Sequence, residues 1–566
     1  MTVTAGARTA ARTRSAWVRG FAAAAAGALP ALAFPAPSLW WLAYVALVPW
    51  MLLARSADTA RTAARDGWFG GAGFMLAVHH WLLPSLTVFI FALALLLGAL
   101  WAPWGWLVRR LLGAGAGPRQ AGAALVLLPS AWLMVELARS WQYLGGPWGL
   151  LGASQWQVTP ALRLASVGGV WLVSFVVVLV NTCVALFLAV PALRRPAVLG
   201  LLAAGVATAS VALWAPRPHA RGSVRVAVVQ PGVVATPGAR FAREVALTRR
   251  LAGTHADLVV WGESSVGADL TSHPAMAGQL ASLSRQVGAD LLVNVDAEKA
   301  DGSGISKTSE LIGPRGVVGP TYDKMRLVPF GEYIPLRSVL GWATSVGKAA
   351  GEDRRPGTRQ VVMDTGALRF GPLVCFESAF PDMSRHLAGD GVQLLVAQSS
   401  TSSFQHSWAP AQHASLAALR AAETWRPMVH ATLTGISAVY DAHGRPVGDR
   451  IGTGASTTAV YQVPLATGVS PYVRFGDWVP RVALLLVLSA LAYEVTRRFR
   501  GPQPDDDLLP VGAPPRPVAR AGATRPAASG APTASAGPTA SSGGSGGAKA
   551  TPAAPGSRDA RPEESP

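Results

Sequence analysis

The chain has only two cysteines in 566 residues, and one of them, Cys183, lies inside an apolar run. That count excludes a disulfide framework. Charge is scarce as well: Asp, Glu, Lys and Arg make up 14% of the residues, too few for several soluble domains laid end to end. Histidines occur at 255, 273, 386, 406, 413, 430 and 443, but none has a metal-ligand spacing with cysteine and no His-Glu-x-x-His run exists. No glycine-rich phosphate loop follows the first strand-like run, where Gln230-Pro231-Gly232 stands instead. No cofactor and no metal are expected.

What the chain has in quantity is apolar residue. Half of it is hydrophobic, the mean hydropathy is +0.32, and there are 20 tryptophans, whose rings favour the boundary between hydrocarbon and headgroups. Apolar segments of spanning or near-spanning length lie at about 17–34, 38–54, 67–84, 86–108, 121–138, 165–190 and 197–214, and an eighth at about 476–496, by the ~20-residue criterion. The Ala-rich first segment has the look of a signal peptide, but the helices after it argue against cleavage. His79-His80 falls at the outer end of the third segment beside Trp81, an interfacial place that needs no proton path.

The net charge of +18 comes from arginines that flank the apolar segments: Arg8, Arg12, Arg14 and Arg19, then Arg55, Arg61 and Arg65, then Arg109, Arg110 and Arg119, then Arg194 and Arg195. These are alternate loops, and the positive-inside rule puts all of them in the cytoplasm. A nucleic-acid partner would need one localised basic face, and none is expected. The connection after the seventh segment is then outside, and Arg497, Arg498 and Arg500 return the chain to the cytoplasm. Both termini are expected there, in a multi-pass protein of the cytoplasmic membrane. The expected organisation is a seven-span bundle over 1–215, an extracytoplasmic domain over 216–472, an eighth transmembrane helix over 473–500, and a tail over 501–566. That tail is rich in Pro, Ala, Gly and Ser and is read as disordered.

The external domain alternates strand-like and helix-like runs, the pattern of an α/β layered fold. Strands are expected at Val224–Gln230, Asp257–Trp261, Asp290–Val295, Leu368–Phe376, Gln393–Gln398 and Met428–Thr434, and helices at Ala239–Ala252, Ala275–Val287 and Trp408–Trp425. Three polar residues stand within or just after such apolar runs: Glu263 after Leu258-Val259-Val260-Trp261, Lys324 before Leu327-Val328-Pro329-Phe330-Gly331-Glu332, and Cys375 after Leu373-Val374. Singly each has a plain reading, as a loop carboxylate, a surface cation and a small buried hydrophobe. Together they supply a base, a cation and a thiol, the set that acyl transfer through a thioester requires. Lys324 is one of four lysines in the external domain, the others being 299, 307 and 348.

At these residues the sequence resembles the nitrilase superfamily of carbon–nitrogen hydrolases, and within it the apolipoprotein N-acyltransferase family. The narrower resemblance rests on the block from Lys324 to Glu332 and on Glu136-Leu137-Ala138-Arg139, Gly146-Pro147-Trp148, Gln155 and Gly67-Trp68-Phe69-Gly70. It also rests on seven spans before the domain and one after. The resemblance implies a membrane bundle of about eight spans carrying an αββα sandwich. It implies a ping-pong reaction in which Cys375 takes an acyl chain from a phospholipid and passes it to the amino group of a diacylglyceryl cysteine on an apolipoprotein. Glu263 is then the general base, Lys324 the oxyanion-stabilising cation, Glu332 a carboxylate supporting the lysine, and Glu377 a residue shaping the site.

Two departures from the family pattern stand out. Phe376 replaces a tyrosine after the nucleophile, and Gln398-Ser399-Ser400-Thr401-Ser402-Ser403-Phe404 stands where an Asn-Asp-x-Trp-Phe stretch is expected. The apolar run Phe330, Tyr333, Ile334, Leu336, Val339, Leu340 and Trp342 is expected to reach the outer leaflet and admit lipid. Two other readings are a membrane-anchored amidase releasing acid to water and a scaffold that has kept the fold. The second is opposed by the complete set of Glu263, Lys324 and Cys375.

Overall fold

The computed structural model describes residues 3–341 and 351–500. Trp342 and the 501–566 tail lie outside the described residues. Among the described residues, six helices are long and apolar enough to cross a membrane: Ala16–Ala33, Phe89–Leu112, Pro118–Arg139, Thr159–Ala189, Pro191–Trp214 and Trp478–Arg497. That is two fewer than the eight expected, for separate reasons. The second segment, Trp40–Arg55, is short and is broken into a 3-10 turn, Trp40–Tyr44, and a helix, Val48–Arg55. The third is helix Ala60–Val78, about 28 Å long at 1.5 Å per residue, whose first two turns carry Arg61, Arg65 and Asp66.

All eight segments nevertheless run between the same two ends of the bundle. At one end Arg19 pairs with the buried Asp66 at 2.7 Å. There too Arg55 donates to the Leu112 and Ala189 carbonyls, Arg109 to those of Ala57 and Asp58, and Arg110 meets Glu494. The Arg55 contacts satisfy the last carbonyls of two helices, which have no partner within their own helix. The α/β part leaves the other end, after Trp214 and before Trp478. Helix Thr159–Ala189 is too long for a hydrocarbon core of ~30 Å and breaks at Gly168 and Gly169, the latter at φ 68°. The Glu423 carboxylate caps the break by accepting the Val170 N–H at 2.6 Å.

Among the described residues the α/β part has twelve strands: β1 His219–Gln230, β2 Leu258–Trp261, β3 Asp290–Glu298, β4 Ile305–Gly313, β5 Gly316–Val317, β6 Tyr322–Asp323, β7 Met363–Asp364, β8 Arg369–Val374, β9 Leu394–Ser399, β10 Met428–Thr432, β11 Ala438–Tyr440 and β12 Thr457–Thr467. They form two sheets, ordered β12-β1-β2-β3-β4-β5 with β6 on β4, and β11-β10-β9-β8-β7. Strands β1 to β3 pair in parallel, as do β8 to β10. Alternate side chains decide the layers. Val226, Val228, Val260 and Leu292 of the first sheet meet Phe370, Val374, Val396 and Val429 of the second in one core. Ala227, Val229, Val259 and Leu291 face the other way, onto helices Pro237–Arg249 and Pro274–Val287. The outer face of the second sheet, through Leu373, Leu395, Ala397 and Met428, shares a single apolar core with helices Pro381–Gly389 and Ala409–Thr424 and with the membrane bundle. The result is the αββα sandwich, with one helical layer continuous with the bundle.

Candidate active site

The six expected strands are present with edges shifted by a few residues. The main difference at the site is that strand Leu368–Phe376 stops at Val374. Cys375 opens a 3-10 turn, Cys375–Ala379, with φ at 53°, a left-handed conformation costing a non-glycine residue about 1–2 kcal/mol. The turn lifts the thiol off the sheet and leaves it half-buried, 3.9 Å from the Ser400 carbonyl and against the Glu263 carboxylate. Glu263 follows β2 after Gly262, and its N–H donates to the Ser399 carbonyl at 3.1 Å. Gly262 is required here, because a Cβ would sit 2.1 Å from the Leu433 nitrogen. Lys324 follows β6 and is fully buried.

The structure thus brings the three sequence-predicted residues together, and it adds a fourth. Lys324 Nζ lies 3.1 Å from Glu263 Oε1 and 2.7 Å from Glu332 Oε1. Lys307 Nζ, projecting from β4, lies 2.8 Å and 3.0 Å from the same two oxygens. Two carboxylates and two ammonium groups therefore form a closed square of zero net charge. Asp296 on β3 stands 3.8 Å from Lys307 and accepts from Arg354 at 3.2 Å. Burial alone would push the Glu263 carboxyl up, but Lys307 and Lys324 together pull it down to about 2. Burial, reinforced by the Glu263 charge, pushes the Cys375 thiol up to about 12. At rest the site holds a neutral thiol beside an ionised carboxylate.

Glu377 joins the turns that carry Cys375 and Lys324. Its Oε1 accepts from Tyr322 Oη and from the Met325 and Arg326 N–H groups, and its Oε2 from the Val374 N–H. Phe376 packs edge-on against Phe380 with centroids 4.9 Å apart. It also reaches the bundle at Gly146, where a Cβ would be 2.5 Å from its ring. His413 Nε2 lies 3.0 Å from the Cys375 carbonyl, and burial holds its imidazole down at about 4, hence neutral.

The divergent stretch frames the same site. Gln398 donates to the Trp261 and Leu292 carbonyls and accepts from Ser309, and Phe404 packs on Trp81 at 4.8 Å. Trp81 and Trp148 of the bundle both donate to Gln412. In the bundle, Glu136 accepts from Trp132 and from the Leu151 N–H, and Arg139 donates to the Trp148 carbonyl. These contacts hold the loop that meets Phe376.

A sandwich of two sheets with helices outside, and a cysteine on a strained turn at a strand end, defines an enzyme of the carbon–nitrogen hydrolase class. Residues 225–470 match the family model described as Carbon-nitrogen hydrolase, and residues 26–183 match that of the Apolipoprotein N-acyltransferase N-terminal domain. The chain is 31% identical over 502 residues to the apolipoprotein N-acyltransferase of Geobacter metallireducens, covering 82% of this chain and 94% of that one. It is 31% identical over 513 residues to the one of Azotobacter vinelandii, covering 86% and 96%. Among solved structures it is similar to an amidase from Nesterenkonia sp., at 21% identity and TM-score 0.32, over 45% of this chain and 94% of that one. The chain belongs to the apolipoprotein N-acyltransferase family.

Proposed function

We propose that this membrane enzyme transfers a fatty acyl chain from a phospholipid, through a thioester on Cys375, to the α-amino group of the S-diacylglyceryl cysteine of an apolipoprotein. The observation that carries the reading is the single apolar core shared by the bundle and the helical layer beneath Cys375. A thiol in that place meets acyl chains arriving from the bilayer, and a soluble amide substrate needs no such junction. Glu263 takes the thiol proton as Sγ attacks the ester carbonyl, and Lys324 faces the oxyanion. Collapse breaks the ester C–O bond, and Glu263 returns the proton to the leaving lysophospholipid oxygen. The lipoprotein amine then attacks the thioester carbonyl and loses a proton to Glu263. Expulsion of the cysteine sulfur, reprotonated by Glu263, leaves the amide. Glu332 keeps Lys324 ionised, and Glu377 with Phe376 shapes the turn. Acid–base and charge stabilisation suffice for each step, so no cofactor enters.

The clustering of Arg19, Arg55, Arg109 and Arg110 at the bundle end remote from the α/β part supports a cytoplasmic position for that end. The catalytic part, taken as residues 216–472, then lies outside the cytoplasmic membrane, with both termini inside. Omitting the second and third segments as a pair would leave the sidedness of everything downstream unchanged.

The test supplies phospholipid vesicles and a diacylglyceryl-cysteinyl peptide to membranes holding the enzyme, and weighs the peptide. Wild type adds one acyl chain and Cys375→Ser adds none. Free fatty acid as the sole product would establish hydrolysis instead.

A further inference from the structure

The resting square poses a problem that its own geometry answers. While both lysines stay on Glu263 Oε1, moving the Cys375 proton to that oxygen is far uphill, because each ammonium favours the ionised carboxylate. Lys324 must also turn toward the oxyanion as the ester carbonyl is attacked, and doing so removes one of the two cations from Glu263. A carboxylate pair left with no cation would repel, since Glu263 and Glu332 present their Oε1 atoms to the same ammonium groups.

We infer that Lys307 is a positioning residue, the cation that stays on Glu263 and Glu332 and holds the two side chains in place while Glu263 takes the thiol proton and Lys324 turns to the oxyanion. The inference rests on the proposed reaction. Lys307 is suited to staying behind. Its stem leaves the middle of β4, which is paired to β3 along its length and to β6 at Thr308, and Asp296 gives it a third carboxylate at 3.8 Å. Its side chain is 13% exposed against 0% for Lys324, so it faces away from the sealed side of the square. The groups facing Glu263 are Lys307 from β4, Lys324 and Glu332 from the segment after β6, and the Cys375 thiol from the turn after β8. Asp296 and Arg354 stand behind Lys307, and Glu377 and His413 flank the Cys375 turn.

The experiment follows acyl-enzyme formation on the full-length protein by intact mass, in a single turnover with phosphatidylethanolamine in mixed micelles, from pH 4 to 9. Wild type, Lys307→Met, Lys307→Arg and Cys375→Ser are compared. Without Lys307, Lys324 is the sole counter-cation of two carboxylates and is held back from the oxyanion. The plateau rate of Lys307→Met should therefore fall about tenfold or more. Glu263 also loses a nearby positive charge, so its acid limb, which in wild type lies below the measured range because Glu263 is held at about 2, should move up by about 1–2 pH units and appear at the low edge of the profile. Lys307→Arg should restore the wild-type limb. A Lys307→Met profile lowered evenly at every pH, with its limb unmoved, would mark Lys307 as merely structural and overturn the inference. If Lys307→Met does not accumulate in membranes, Lys307→Gln replaces it, and failure of both to fold counts against the inference too. A wild-type enzyme that takes no acyl chain on Cys375 from the phospholipid would sink the proposed reaction itself, a result distinct from an unmoved limb in the variant.

Discussion

The two sheets of the sandwich contribute different chemistry. Glu263, Lys307 and Lys324 come from or directly follow β2, β4 and β6 of the first sheet, whose outer helices are amphipathic and belong to the α/β part alone. Cys375 and the carbonyls of Ser399 and Ser400 come from the second sheet, whose outer helices are common to the membrane bundle. The square of paired ions around Glu263 is thus kept on the layer remote from lipid. The neutral thiol is on the layer that lipid reaches. A membrane enzyme built this way brings an acyl chain to its nucleophile without drawing a buried ion toward hydrocarbon, where an unpaired charge is most costly.

The division can be broken most severely from the charged side. Lys324→Met keeps the volume but removes the cation proposed to face the oxyanion, so acyl-enzyme formation measured by mass should slow by about 100- to 1,000-fold, with the thiol still free to be alkylated. A second change attacks the seam between the layers. In Gly262→Ala the new Cβ meets the Leu433 nitrogen at 2.1 Å, where Glu263 and Leu433 both donate to Ser399, and the sheets must move apart. A loss of about 3 kcal/mol should appear as a lower melting temperature in detergent. The smallest effect is expected at Glu377, where glutamine keeps an acceptor at one oxygen only and sets an amide against backbone N–H donors. About 2 kcal/mol of stability should be lost, with the pH profile of the remaining activity unchanged.

The strand ends on which Glu263 and Cys375 stand are legible because β2, β8 and β9 are short, mostly apolar and, apart from Arg369, buried. Lys307 is not legible as a site residue, because β4 reads Ile-Ser-Lys-Thr-Ser-Glu-Leu-Ile-Gly, with polar residues where a core strand would have apolar ones. Those positions are used instead to satisfy neighbours, Ser309 donating to Gln398 and Thr308 to Asp323. Strand β12 is not legible for a related reason: its exposed side carries Gln462 and Pro464, and its pairing with β1 joins residues more than two hundred positions apart. In the bundle, hydropathy finds the six long helices. It places the third segment from 67 onward, whereas the helix starts at Ala60, because Asp66 is neutralised by Arg19, a contact no local window contains.

Helix Ala409–Thr424 has almost no side left for water, since every residue but Ala411 is buried. One flank closes the second sheet and the other belongs to the bundle, so this helix is an internal wall of the molecule. The order of assembly follows from that. The seven segments before the α/β part leave the ribosome first and offer the surface against which this helix folds. The last segment, through the bond from Trp478 Nε1 to the Val167 carbonyl, then closes the structure from behind. The catalytic part therefore shares an inner wall with the membrane bundle instead of presenting a closed surface to it.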